Sequence, residues 1–356
     1  MIEVKVPGKL YIAGEYAVVS PGHKAIVMSV DKFITIRLKK SNNSGSIKSY
    51  SNIKMIWSRE GDEIIVEQKN DRFEYILSAM NITERFLLEK GYMLDFYDIE
   101  VMSDLESKDG LKYGLGSSAS IVVAVIKALL DFYGENYTKL ELFKLAVLST
   151  LSLNISGSCG DLAAVVFNGL IKYTSFDRKA IFERLNNEKI NNIVNSEWEL
   201  LDIKKIKLND KFKFIIGWTK SPASSYNLVK HSRKNLKKHM DFYNSFLLES
   251  EECVELFEKA YIDSDFNKIR ESIEKNRKLL NLYAENFNIE IEKNNLSSLI
   301  EISKSLGLAS KSSGAGGGDC GLAICEYNFD INKLKFEWQM KDIDLLDLNV
   351  YEGLDE

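Results

Sequence analysis

Gly114-Leu115-Gly116-Ser117-Ser118-Ala119-Ser120 runs straight into the apolar stretch that begins at Ile121 and ends at Leu130. A tight glycine turn feeding a helix sets the first backbone N–H groups of that helix around an open space. Those groups have no partner inside the helix, and the helix dipole adds partial positive charge there. Phosphate binds such a place. The two serines can equally cap the helix, which requires no ligand. The loop alone leaves both readings open, so the rest of the chain has to decide.

Upstream, residues 2–6 alternate in polarity and meet Pro7-Gly8, which predicts a strand and then a turn. Residues 10–13 predict a second short strand closed by Gly14. Further strands are expected at 33–38, 63–67 and 96–102, with a loop or hairpin tip at 41–46. Apolar residues at helical spacing predict a helix over 72–90, with Gly91 just past its end. The glycine loop opens a helix over 118–133 that Gly134 ends, and its apolar residues cover most of the circumference. Thr138 with Glu141 three positions later is a capping-box start for a helix to about residue 152. Residues 169–173 are strand-like. Residues 186–195, rich in Asn and Lys, predict a mobile surface segment near a division of the chain into 1–185 and 186–356. Beyond it come a strand at 212–218 and helices at 227–238, 243–261, 265–286 and 295–306. A strand at 320–325, a helix at 331–340 and a strand at 344–350 complete the chain. Strands and helices mix without strict alternation, so the expected class is α+β.

The bulk composition narrows the chemistry. With 47 Lys and Arg against 52 Asp and Glu, the net charge of −5 argues against a nucleic-acid partner held by overall charge. The 4 cysteines show no CxxC spacing and predict free thiols in a reducing compartment. His23, His231 and His239 form no metal-ligand pattern, which disfavours zinc chemistry and a Ser-His-Asp nucleophile. The first residues lack the apolar core of a signal peptide, and no stretch approaches the ~20 apolar residues of a membrane span. A cytoplasmic protein without a membrane partner is expected.

Three polar, glycine-rich segments lie far apart: Pro7-Gly8-Lys9-Leu10-Tyr11-Ile12-Ala13-Gly14-Glu15-Tyr16, the loop at 114–120, and Lys311-Ser312-Ser313-Gly314-Ala315-Gly316-Gly317-Gly318-Asp319-Cys320. In order and position this set resembles the three motifs of the GHMP kinases, the superfamily of galactose, homoserine, mevalonate and phosphomevalonate kinases. Ser156-Gly157-Ser158-Cys159-Gly160-Asp161 and Gly217-Trp218-Thr219-Lys220 bring it nearest to the bacterial phosphomevalonate kinases within that family. The Walker pattern GxxxxGK[ST] is absent. The resemblance implies a two-domain α+β fold, with the active site in a cleft between an N-terminal ATP-binding domain and a ferredoxin-like C-terminal domain. It implies ATP and Mg²⁺ as cofactors and 5-phosphomevalonate as the small-molecule partner, converted to 5-diphosphomevalonate for isoprenoid synthesis. Mevalonate kinase, another small-molecule kinase of the family, or a catalytically silent nucleotide-binding relative are the alternatives. Oligomeric state is not legible.

Joining two phosphates needs cations more than a base. A phosphate monoester is largely dianionic at neutral pH, and two polyanions repel strongly in a dry cleft. Lys9 is the first catalytic candidate, bridging the incoming phosphate and the transferring phosphoryl group. By the same resemblance Asp161 matches the aspartate that acts as base in mevalonate kinases; here it is expected to orient Lys9, the substrate hydroxyl or the metal. Those kinases carry a metal-binding glutamate eleven residues earlier, where this chain has Thr150. Lys112, Gly114, Leu115, Gly116, Ser117, Ser118 and Ala119 are the expected ATP-binding residues, with Ser118 also the metal contact. Substrate contacts are expected from Lys9, Tyr16, Ser158, Ser224 or Ser225, Ser313, Gly314, Ala315 and Gly316.

Overall fold

In the computed structural model, which describes residues 1–49, 53–66, 70–153, 157–221, 225–233 and 236–353 but not the side chains at 225–227 and 233, β1 (Ile2–Ala13) pairs antiparallel with β2 (Lys24–Ser41). The turn expected at Pro7-Gly8 is a register shift inside one continuous strand. Proline is tolerated because β1 pairs with β2 alone, so a missing N–H on its outer edge breaks no ladder. The other edge of β2 takes β6 (Phe96–Ser103) along its second half and β7 (Leu170–Thr174) along its first. β3 (Gly45–Lys48) runs parallel to β6 and antiparallel to β4 (Lys54–Glu60), which pairs with β5 (Glu63–Val66). The expected hairpin tip at 41–46 therefore joins strands that are not neighbours, since β6 lies between them. β8 (Asp202–Ile206) completes the eight-stranded sheet on β7.

α2 (Ser117–Tyr133) and α4 (Gly160–Phe167) pack on this sheet, and α1 (Glu74–Glu89) and α3 (Lys139–Ser152) pack on α2. α2 packs on β1 and β2 and touches α1, α3 and α4, which accounts for its apolar circumference. Gly134 closes it in the left-handed conformation, and both halves of the Thr138–Glu141 capping box are formed.

The segment at 186–195 differs from expectation. α5 (Arg178–Asn187) and α6 (Ile190–Asn195) occupy it, with Ile190, Ile193 and Val194 buried. Glu89 accepts the N–H groups of Ile190 and Asn191, and Lys144 donates to the carbonyls of Val194 and Ser196. Three apolar residues at helical spacing outweigh the polar composition around them. The division expected at 185/186 thus falls inside α5, and the chain leaves the first sheet only after β8.

The second sheet follows. β9 (Phe212–Trp218), β10 (Ala309–Ser312), β11 (Cys320–Glu326) and β12 (Asp344–Leu346) pair antiparallel in the order β10-β11-β9-β12. α7 (Ser225–Arg233), the long pair α8 (Met240–Ile262) and α9 (Phe266–Phe287), α10 (Asn294–Ser305) and α11 (Asn332–Gln339) accompany it. The architecture is α+β with two sheets. The last expected strand is shorter than 344–350, because the chain turns back to the first sheet: Val350 bridges Val30, and Ser29 Oγ donates to Tyr351 O at 2.6 Å. All four cysteines are buried and free. No helix among the described residues is long and apolar enough to cross a membrane.

The two parts are bolted together just after β1. Tyr16 and Ala17 sit in an apolar cluster with Tyr243, Phe246, Tyr283 and Phe287 of α8 and α9. Lys24 pairs with Glu251 and Glu255 of α8 at 2.6 Å. Glu15 and Lys311 form an ion pair whose side chains are 2% and 0% exposed. Removing one member of such a buried pair leaves the other charge uncompensated, which costs about 3–5 kcal/mol. Lys311→Met is therefore expected to lose stability of that order in urea unfolding, and Glu15→Gln/Lys311→Met to regain much of it. A single variant within about 1 kcal/mol of wild type would show that the pair carries no such cost.

Candidate active site

The outer edge of β1 organises the site. Residues 7, 9 and 11 present their backbone groups to that edge, the first two to the segment at 114–120 and the third to Ser313. Pro7 O accepts from Ser120 Oγ of α2 at 2.7 Å. Lys9 N donates to Leu115 O of the glycine loop at 2.8 Å. Tyr11 N donates to Ser313 Oγ at 3.0 Å, and Ser313 Oγ donates back to Tyr11 O at 2.8 Å. Two further sequence motifs thus dock on the strand edge that the first motif supplies.

The side chains converge as well. A Cβ on Gly116 would stand 2.7 Å from Lys9 Cε, so only glycine lets the lysine lie across the loop. A Cβ on Gly114 would stand 2.4 Å from Asp319 Cβ. Both glycines have positive φ, so a side chain there is strained in backbone as well as in space. Burial lowers the pKa of the Lys9 ammonium, while Asp161, then Asp319, Cys320 and Glu15, oppose that shift. Lys9 Nζ also lies 5.6 Å from the centre of the Tyr11 ring.

Two helices start at this place without side-chain caps. α2 begins after Gly116 in the left-handed conformation, and α4 begins after Cys159 in the same conformation. The serines at 117 and 118 therefore do not cap α2, and the first-turn N–H groups of Ser117, Ser118 and Ala119 face the loop. Asp161 stands in the first turn of α4, where the helix dipole favours its charge. Its Oδ1 accepts from Leu162 N at 3.0 Å. Ser158, just before α4, joins its Oγ to Tyr11 Oη at 2.8 Å.

Chain comparison agrees with this geometry. The family model described as GHMP kinases N terminal domain matches residues 74–169, and that described as GHMP kinases C terminal matches 253–341. A phosphomevalonate kinase of Streptomyces sp. (strain CL190) is 29% identical over 94% of this chain and 92% of its own. The Streptococcus pneumoniae phosphomevalonate kinase, solved with phosphomevalonate and AMPPNP, is 32% identical with a TM-score of 0.86. That match covers 98% of this chain and all of the other. The Lin0012 protein from Listeria innocua superposes with a TM-score of 0.90 at 33% identity, over 98% and 97% of the two chains. The chain belongs to the GHMP kinases. It is an ATP-dependent phosphotransferase acting on a small molecule.

In this GHMP kinase the remaining expected residues fall into two groups. Lys112 is exposed on the approach to the glycine loop, while Leu115 is buried beneath it. Gly314 borders open space, and Ala315 and Gly316 continue that loop. Other groups are engaged within the protein. Tyr16 is buried and its hydroxyl donates to Ala315 O at 2.7 Å. Ser313 holds Tyr11 through both its lone pair and its proton. Gly316 packs against Ile291 O, which would be 2.3 Å from a Cβ. These residues shape the third motif rather than present free polar groups. Ser224, the side chain of Ser225, and Ser156 of the 156–161 motif lie outside the described residues.

Sequence reading left Tyr11, Ser120 and Lys311 without roles. Each lies inside or beside a quoted motif, but its partner is more than a hundred residues away. GHMP kinases use ATP, typically with Mg²⁺. The uncapped start of α2 beside two positive-φ glycines suits a phosphate chain. Among the described residues no cluster of three or more His, Cys, Asp or Glu forms a protein metal cage. Asp161 and Asp319 are the carboxylates that act most strongly on Lys9, and Ser118 stands in the first turn of α2; such a sparse set suits Mg²⁺, which typically takes one or two carboxylates and fills its shell with phosphate and water.

Lysine ¹³C NMR checks the electrostatics. The Lys9 resonance, assigned by its loss in Lys9→Arg, is expected to titrate at lower pH than the exposed lysines. Asp161→Asn should move it lower still, because a carboxylate that favours the ammonium is gone. A Lys9 titration that coincides with the exposed lysines and ignores Asp161→Asn would contradict this picture.

Proposed function

We propose that this GHMP kinase transfers the γ-phosphoryl group of ATP to 5-phosphomevalonate, giving 5-diphosphomevalonate and ADP in the mevalonate route to isoprenoids. The observation that carries the reading is the position of Lys9: a cation at the junction of the glycine loop, the start of α4 and the third motif. Two phosphates can approach there only if their charge is offset. The likeness to two phosphomevalonate kinases near 30% identity supports the choice of acceptor. So does residue 150, where mevalonate kinases by resemblance have a metal-binding glutamate. Here it is a threonine whose Oγ1 donates back to Ala146 O within α3.

The residues take these roles. Backbone N–H groups at Ser117, Ser118 and Ala119, with Gly114 and Gly116 clearing the space, hold the nucleotide phosphates; Lys112 supports them from the rim. Lys9 bridges the acceptor phosphate and the γ-phosphoryl group. An oxygen of the acceptor phosphate bonds to the γ-phosphorus as the bond to the β-phosphate oxygen breaks, and ADP leaves with that electron pair. The acceptor is already largely dianionic near neutral pH, so no strong base is required. Asp161 orients Lys9 and the acceptor. Ser118 would hold Mg²⁺, which would supply further charge neutralisation. Ser158, Gly314 and Ala315 line the acceptor, together with Ser224 or Ser225.

A coupled ADP-release assay with phosphomevalonate, mevalonate, homoserine and galactose tests the acceptor. Turnover with phosphomevalonate and little with the free alcohols is expected. Turnover of mevalonate with none of its phosphate ester would overturn the choice, and acceptor-independent ATP hydrolysis alone would remove the kinase reading.

A further inference from the structure

We infer that Tyr11 is a positioning residue that turns Ser158 into a one-way hydrogen-bond donor toward an oxyanion of the acceptor. This inference rests on the acceptor reading above. Tyr11 is 8% exposed. Among the described residues the only hydrogen-bond partner of its hydroxyl is Ser158 Oγ, at 2.8 Å. A buried phenol proton needs an acceptor, and burial together with Asp161 raises the Tyr11 pKa well above that of a free phenol, so the proton stays on. Tyr11 therefore donates and Ser158 accepts. Gly160 N also donates to Ser158 Oγ, at 3.3 Å. A hydroxyl oxygen has two lone pairs and one proton. Both lone pairs of Ser158 are then occupied, and its proton is directed away from the protein partners.

The serine is held from a second side. Tyr173 Oη donates to Ser158 O at 2.7 Å, and Tyr173 is fully buried. Gly160 keeps the contact close, since a Cβ there would stand 2.5 Å from Tyr11 Oη. The same Tyr11 ring lies beside Lys9 Nζ, and its backbone is clamped by Ser313. One residue thus sets Lys9, Ser158 and the third motif relative to each other. A ligand group that only accepts, a carboxylate or phosphate oxygen, fits the outward Ser158 proton. A group that must donate meets no lone pair.

Tyr11→Phe keeps the ring and removes the hydroxyl, which makes it the direct probe. Steady-state kinetics are measured for Tyr11→Phe, Ser158→Ala and the double variant, varying phosphomevalonate and ATP separately. Loss of one directed hydrogen bond to an anion should raise the acceptor KM about tenfold. The ATP KM should stay within about twofold, since that interaction serves the acceptor alone. If Tyr11 acts through Ser158, the double variant should match Ser158→Ala rather than multiply the two effects. An unchanged acceptor KM in either single variant, or multiplicative losses in the double, overturns the inference. Failure of wild type to phosphorylate phosphomevalonate overturns the proposed function instead. The same cycle is then run with whichever acceptor the ADP-release panel identifies, and Tyr11–Ser158 coupling stands or falls there.

Discussion

The outer edge of β1 is the constraint on which the site depends. A strand edge is a row of unpaired donors and acceptors that must be paired, covered or blunted. Here Pro7 removes one donor, and a helix hydroxyl, a loop carbonyl and a loop hydroxyl from two distant segments cover Pro7 O, the Lys9 N–H and the Tyr11 peptide. Covering the edge and building the site are therefore the same event. The glycine loop cannot move away from β1 without freeing the Lys9 N–H, and the third motif cannot do so without freeing the peptide of Tyr11. The alternation that points these backbone groups outward also puts the side chains of Lys9 and Tyr11 on one face, toward the loop at 114–116 and the start of α4.

Electrostatics follow from that geometry. Lys9 is drawn out of water, which disfavours its charge, and carboxylates around it restore part of the preference. Such an ammonium is held in place before any ligand arrives. Preorganised charge of this sort costs no rearrangement when negative charge develops, which makes it suited to phosphoryl transfer. The buried Glu15–Lys311 pair plays a different part. It ties the chain just after β1 to β10, the strand that leads into the third motif.

Much of this was legible in the sequence, and the exceptions have physical reasons. The loop at 114–120 could be read because glycine, hydroxyl and apolar residues follow in the order a helix start requires. The capping box at Thr138 and the stop at Gly134 were readable for the same local reason. Tyr11 was not: its value lies in a partner 302 residues away and another 147 away, and a tyrosine in a strand pattern reads as core. Ser313 and Tyr16 read as substrate contacts, and nothing local shows that their hydroxyls meet backbone atoms of another motif. The continuous β1 was missed because Pro-Gly is a turn signal unless the strand is known to be an edge. The segment at 186–195 misled through its composition, since three apolar positions sufficed to bury it.

In the proposed reaction the nucleophile is a phosphate oxygen, with Lys9 joining two anions. Proton-coupled ³¹P NMR of the product formed from phosphomevalonate and ATP reads this directly. The monoester resonance should be replaced by two resonances split by each other, as in a diphosphate. Two separate monoester resonances, which place the new phosphate on a hydroxyl of the acceptor, would contradict it.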